Sequence, residues 1–181
     1  MLKQICEEAF DPRLVTVVEG GRAENEALLD ECWDKIFFTG SVPVGKLVME
    51  RASKNLAPVT LELGGKSPCI VDATANLKVA ARRIAFGKWL NVGQTCVAPD
   101  YLLVDTSVHD ELLGLIKEEV RRMFGEHPLD NEDYGHIVNA KHFARVRGLI
   151  DPDKVVLGGV TREASLKIEP TILDGVAPDD A

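Results

Sequence analysis

The sequence predicts an α/β protein whose strands run parallel. Short apolar, β-branched runs alternate with stretches that carry apolar residues at helical spacing, and Gly- or Pro-bearing turns separate the two kinds of segment. Chains that alternate in this way build doubly wound sheets, in which a strand covered on both faces reads as an unbroken apolar run. At 45 % hydrophobic and 28 % charged, the 181 residues supply enough apolar surface for a packed core and enough charge for a solvated exterior.

Leu2, Ile5, Ala9 and Phe10 recur at helical spacing, so a helix opens the chain and ends near Asp11-Pro12. Residues 14–18 (LVTVV) read as a strand buried on both faces. Gly20-Gly21 then turns the chain into a helix over residues 24–30. Residues 36–38 form a second short buried strand. Ser41 stands where it can cap the next helix, Pro43 suits its first turn, and Leu47, Val48 and Ala52 share one face.

Residues 59–63 and 68–71 read as strands, the first carrying Glu62. Asn76 is placed to cap a helix whose apolar face is Leu77, Ala80, Ala81, Ile84, Ala85 and Trp89, with Arg82, Arg83 and Lys88 on the solvated side. Residues 101–104 are a strand. Ser107 and Asp110 have capping-box spacing before a helix through Met123, which Gly125 stops. A polar loop over 128–133, a helix near 140–150 and strands near 155–157 and 166–172 complete the chain. No repeat, low-complexity tract or flexible linker interrupts it.

The net charge of -8 argues against nucleic acid and anionic lipid as partners, since both reward clustered Lys and Arg. No apolar run is long enough to span a membrane, and no basic-plus-apolar leader follows Met1. Cys6, Cys32, Cys69 and Cys96 are scattered, with no CxxC pair and no histidine at ligand spacing. That favours reduced thiols in a cytoplasmic protein over a disulfide framework or a zinc site. Cys6 and Cys32 are placed with the helices and Cys69 in a buried strand. His109, His127, His136 and His142 read as surface residues.

Two stretches carry chemistry. Residues 93–101 (GQTCVAPDY) put one cysteine between a helix end and a strand start, on a loop held by two rigid elements. Read alone, Cys96 is either a nucleophile or a small buried hydrophobe. Residues 61–68 (LELGGKSP) set a carboxylate between two leucines ahead of a Gly-Gly turn; Glu62 is either a desolvated base or a salt-bridged surface group. A third segment, 40–46, meets the phosphate-loop pattern up to its lysine, but Leu47 stands where a Ser or Thr would hold magnesium. A strand, a small-residue turn and a helix N-terminus can still hold a phosphate through free backbone N–H groups, and can equally be a plain βα turn.

Together the cysteine and glutamate stretches resemble the active-site signatures of the NAD(P)-dependent aldehyde dehydrogenase superfamily, and GQTCVAPDY is most like its short, class 3-type branch. The likeness runs almost without gaps from about residue 17 to residue 101 and more loosely to the C-terminus. It implies the end of a Rossmann-like cofactor-binding domain over 1–60, followed by the first part of the catalytic domain over 61–181. It also implies oxidation of a small-molecule aldehyde with NAD or NADP, through a thiohemiacetal and then a thioester on Cys96, with Glu62 as general base. Gly40, Ser41, Gly45, Leu63 and Gly64 fall at the positions that contact the cofactor, a role the superfamily fills without the G-x-G-x-x-G fingerprint that this chain also lacks. The Cys96 N–H would be one oxyanion donor, and the partner asparagine lies upstream in such enzymes. The resemblance covers only the middle of these longer, oligomeric proteins, so this chain by itself is expected to be a segment with a reactive thiol and little turnover. A Cys-dependent hydrolase is the remaining alternative, and no histidine here completes its signature.

Overall fold

The structure is a computed structural model that describes residues 1–180. By its internal contacts the chain divides into two compact units, with the division between Gly64 and Gly65. Among the described residues no helix is long and apolar enough to cross a membrane.

The first unit holds helices α1 (Leu2–Ala9) and α2 (Arg22–Leu29), strand β1 (Ile36–Thr39), helix α3 (Val42–Ser53) and strand β2 (Val59–Glu62). β1 and β2 pair in parallel, with Ile36 opposite Val59 and Thr39 opposite Glu62. α3 turns Gly45, Val48 and Ala52 inward, the face its sequence period marks, and contacts both strands. Leu47 is half-buried beside them. β1 alternates instead of being buried on both faces: Phe37 is 66 % exposed while Ile36 and Phe38 are half-covered, because a helix lies on one side only.

Residues 14–18 do not form the expected strand. A turn at Asp11, whose carbonyl accepts from the N–H groups of Leu14 and Val15, opens the run, and the residues after it belong to no helix or ladder. Leu14 stays 82 % exposed. β-branched apolar residues suit a strand, but a strand exists only where a neighbour pairs with it, and no described segment does.

The second unit is built on strands β3 (Ser67–Val71) and β4 (Pro99–Val104), parallel and joined across helix α4 (Leu77–Trp89). The Asn76 side chain caps α4, accepting from the Val79 N–H at 3.2 Å. Ala81, Ile84, Ala85 and Trp89 of α4 pack with Val71 and with Leu112, Ile116 and Val120 of helix α5 (His109–Phe124). The Ser107 capping box does not form. Ser107 instead donates its N–H and hydroxyl to Asp105 Oδ1, at 2.9 and 2.6 Å, an Asx turn that outcompetes the cap, and Val108 takes the N-cap position. Gly125, at φ +79°, ends α5 as expected.

The segment read as a polar loop at 128–133 is partly interior. Pro128 and Leu129 are buried, and Tyr134 beyond them sets its ring edge against Phe124 and donates its hydroxyl to the Ile168 carbonyl at 2.7 Å. Helix α6 (Ala140–Arg147), capped by Asn139, brings Phe143 onto Ile137 and Ile168. Strands β5 (Val155–Leu157), β6 (Thr161–Arg162), β7 (Lys167–Ile168) and β8 (Ile172–Leu173) pair as β5–β8 and β6–β7, both antiparallel. The single strand expected over 166–172 is therefore two. Leu166 sits at φ +52°, and Pro170 supplies no N–H, so the ladder breaks and changes partner there.

His109 links the start of α5 to the chain after β8. Its Nδ1 lies 2.8 Å from Asp110 and its Nε2 3.0 Å from Asp174, and hydrogen bonds to these carboxylates, Asp110's first, hold the imidazole above its ordinary 6.5. A raised folded-state value means that this contribution to stability is complete below the unfolded value and is lost as pH rises through the folded one. The melting temperature should therefore fall between about pH 6 and about pH 8 more steeply for the native chain than for His109→Gln. Equal slopes in a calorimetric pH series would remove His109 as the cause.

Candidate active site

Cys96 is presented by a loop with an unusual backbone. α4 ends at Trp89, and a 3-10 turn over Leu90–Gly93 follows in which Asn91 (φ 53°), Val92 (φ 58°) and Gly93 (φ 78°) are all left-handed. Glycine takes that conformation freely, while a β-branched valine is strained in it, and strain of this kind collects at functional sites. A Cβ on Gly93 would also crowd the Lys88 carbonyl oxygen, 3.1 Å away. The reversal delivers Thr95–Ala98 as a turn closed by the Ala98 N–H on the Thr95 carbonyl, with Ala98 buried and Cys96 exposed. Pro99 then begins β4. The helix–loop–strand placement read from the sequence is the observed one.

The loop is held from several sides within its own unit. Gly65 lies against it, a Cβ on Gly65 coming 3.3 Å from the Cys96 carbonyl oxygen. Gln94 donates from Nε2 to the carbonyls of Asn91 and His136 at 3.3 and 3.1 Å, and its Oε1 accepts from the Val138 N–H at 3.0 Å. The Asn91 side chain donates back to the Gln94 carbonyl at 3.1 Å.

Lys88 departs from the sequence reading, which put it on the solvated face with Arg82 and Arg83. Those two are exposed, but Lys88 is half-buried, and a Cβ on Gly93 would come 3.8 Å from its Cε. Burial pushes its ammonium below the ordinary lysine range, with Asp100 opposing that shift and Lys66 adding to it. Asp100 is itself 3.4 Å from the Lys66 Nζ. The signal was available: Lys88 is seven residues beyond Ala81 and four beyond Ile84, on the apolar stripe.

Glu62 and the five candidate cofactor residues belong to the first unit. Glu62 ends β2 and is exposed, a point that its place between two leucines left open in the sequence. The Gly40 N–H donates to the Glu62 carbonyl at 3.0 Å, which ties the C-terminal ends of β1 and β2 together. Ser41 occupies the N-cap of α3 but its side chain makes no cap hydrogen bond, so the first-turn N–H groups of Val42 and Val44 have no side-chain cap. Gly45 is explained by packing, because a Cβ there would lie 2.9 Å from Leu63 Cδ2. Gly64 has open space around its Cα. Strand ends beside an uncapped helix N-terminus are where open α/β sheets take ligands, and the residues present fit a dinucleotide phosphate.

The other thiols are arranged differently. Cys69 is partly covered in β3, and desolvation raises its pKa; Cys6 is half-buried in α1. Cys32 is not in a helix but on an exposed loop after α2.

The sequence pattern of the aldehyde dehydrogenase family matches residues 1–181. A relative described as aldehyde dehydrogenase, dimeric NADP-preferring, from Rattus norvegicus is 49 % identical over 178 residues, covering 98 % of this chain and 39 % of that protein. Aldehyde dehydrogenase family 3 member A2 of Pongo abelii is 45 % identical, covering 98 % of this chain and 37 % of that one. Among solved structures, the substrate-bound state of Staphylococcus aureus AldH superposes with a TM-score of 0.92 at 48 % identity, over 99 % of this chain and 40 % of that one. The chain spans about 40 % of the length of the relatives it matches. With its α/β units and its class 3-like relatives, the chain belongs to the aldehyde dehydrogenase family.

Proposed function

We propose that this chain supplies the nucleophile and general base of an NAD(P)-dependent aldehyde dehydrogenase, the carrying observation being an exposed Cys96 on a strained, braced loop between α4 and β4. The Cys96 thiolate adds to the aldehyde carbon, and its own N–H steadies the resulting alkoxide. The thiohemiacetal gives up a hydride, with its electron pair, and becomes a thioester. NAD or NADP, when bound, is the hydride acceptor. Glu62 takes a proton from water, the hydroxide attacks the thioester, and acid leaves as the Cys96 thiolate is restored.

Gly40, Ser41 and Gly64 would line the approach for the dinucleotide, and the N–H groups of Val42 and Val44, which have no side-chain cap, would hold its phosphates; Gly45 and Leu63 pack α3 on β2. Residues 1–60 close a cofactor-binding domain and 61–181 open the catalytic one. The four free cysteines favour a cytoplasmic setting, and full-length relatives are taken to be oligomeric, as the rat one is by name.

Limited alkylation of the native chain, read by mass spectrometry, tests the nucleophile. Cys96 should label first and Cys69 last, with exposed Cys32 as the real competitor. Faster labelling of Cys32 would remove the assignment. NADH formation by these 181 residues, about 40 % of a relative's length, should stay at least about tenfold below that of a complete family member, since loss of a single oxyanion donor can cost more. Equal turnover would overturn the view that this segment needs the rest of the enzyme.

A further inference from the structure

We infer that Gln94 is a positioning residue, whose side-chain amide fastens the loop carrying Cys96 to the chain at His136–Val138 and so fixes where the thiol stands. The inference rests on the assignment of Cys96 as nucleophile. The loop has reason to need an outside anchor. Two consecutive non-glycine residues, Asn91 and Val92, are held left-handed; asparagine tolerates that backbone, but a β-branched valine is strained in it.

Gln94 provides that anchor by using both ends of its amide, donating to the His136 carbonyl and accepting from the Val138 N–H, partners 42 and 44 residues away. The anchor point is itself firm. Between the two bonded residues, Ile137 is 5 % exposed, packs with Phe143 and Ile168, and donates its N–H to the Leu166 carbonyl at 2.8 Å. Gly135 presses the same segment onto the loop, a Cβ there coming 2.7 Å from Val92 Cγ2. Only an amide satisfies this geometry: a glutamate would keep the bond from Val138 and set its charge against two carbonyl oxygens.

The test uses the full 181-residue chain and iodoacetamide, with Cys32 of the other unit as internal reference. Wild-type labelling first checks the nucleophile itself; Cys96 slower than Cys32 there sinks that assignment and, with it, the proposal that Gln94 positions a reacting thiol. Given a reactive Cys96, Gln94→Met removes the amide at nearly constant length, and Val138→Pro removes the N–H it accepts while changing a side chain that is 67 % exposed. Each should slow Cys96 labelling relative to Cys32 by at least about threefold, because a released loop divides its time among orientations that turn the thiol away. The double variant should be no slower than the slower single one, the mark of one shared interaction. Amide exchange should rise over residues 91–98 and 136–138 together. A smaller change in either variant, additive effects in the double, or faster labelling of Cys69 in both, which signals general loosening of the unit, overturns the proposal.

Discussion

Replacing Cys96 with alanine in an aldehyde dehydrogenase that carries this segment should lower NADH formation by about 10⁴-fold or more, the scale seen when a covalent nucleophile is removed. Every step assigned to this chain begins from that thiol, and Cys69, covered in β3 with its thiol pushed up by burial, is no substitute. Glu62→Gln makes the contrast. The carboxylate acts only after hydride has left, so stopped-flow should show a burst of NADH followed by slow turnover. Loss of the burst in Glu62→Gln, or survival of turnover in Cys96→Ala, would contradict the division of labour between the two residues.

The largest stability effect is expected at Leu112. It is 1 % exposed on α5, in the cluster that joins Val71 of β3 to Ala81, Ile84, Ala85 and Trp89 of α4. Leu112→Ala removes buried methyl groups and leaves a cavity that close-packed neighbours fill only in part, at about 2–5 kcal/mol. Leu103→Ala on β4, where the side chain is 53 % exposed, should cost less than about 1 kcal/mol. Urea unfolding followed by Trp89 fluorescence in a Trp33→Phe background reports the second unit by itself, since Trp33 lies in the first. Equal midpoints for the two variants would show that the α4–α5 contact is not what holds this unit.

Helices were legible where their signals were local. The Asn76 cap, the stripe through Ala81, Ile84, Ala85 and Trp89, and the glycine stop at Gly125 all lie within a turn or two of what they control. Strands were legible only where a partner existed. Residues 36–38 and 14–18 look alike as sequence, yet the first pairs with β2 and the second pairs with nothing described. The Asp105–Ser107 turn displaced a cap of correct spacing, a contest between two short-range hydrogen-bond patterns that spacing cannot settle.

At the candidate site, the motif marked Cys96 and Glu62, and Lys88 was hidden by its charge although its period was right. Gln94 stood in plain view inside the motif. Its bonds to His136 and Val138 could not be seen, because nothing local announces a partner some forty residues on.

The parallel pairing of β3 with β4 sets the order of events as the chain folds. Parallel neighbours cannot be joined by a tight turn, so Val71 meets Val104 only after the whole of α4 has been made and folded back. During synthesis, the loop that bears Cys96 therefore leaves the ribosome before the strand that anchors its far end, and before the segment at 136–138 that Gln94 grips. Loop closure must precede the contacts that reward it, so pairing of this kind is slow beside helix formation. The thiol thus spends the early life of the chain on an unbraced backbone, and it gains its fixed place only when residues far downstream have arrived.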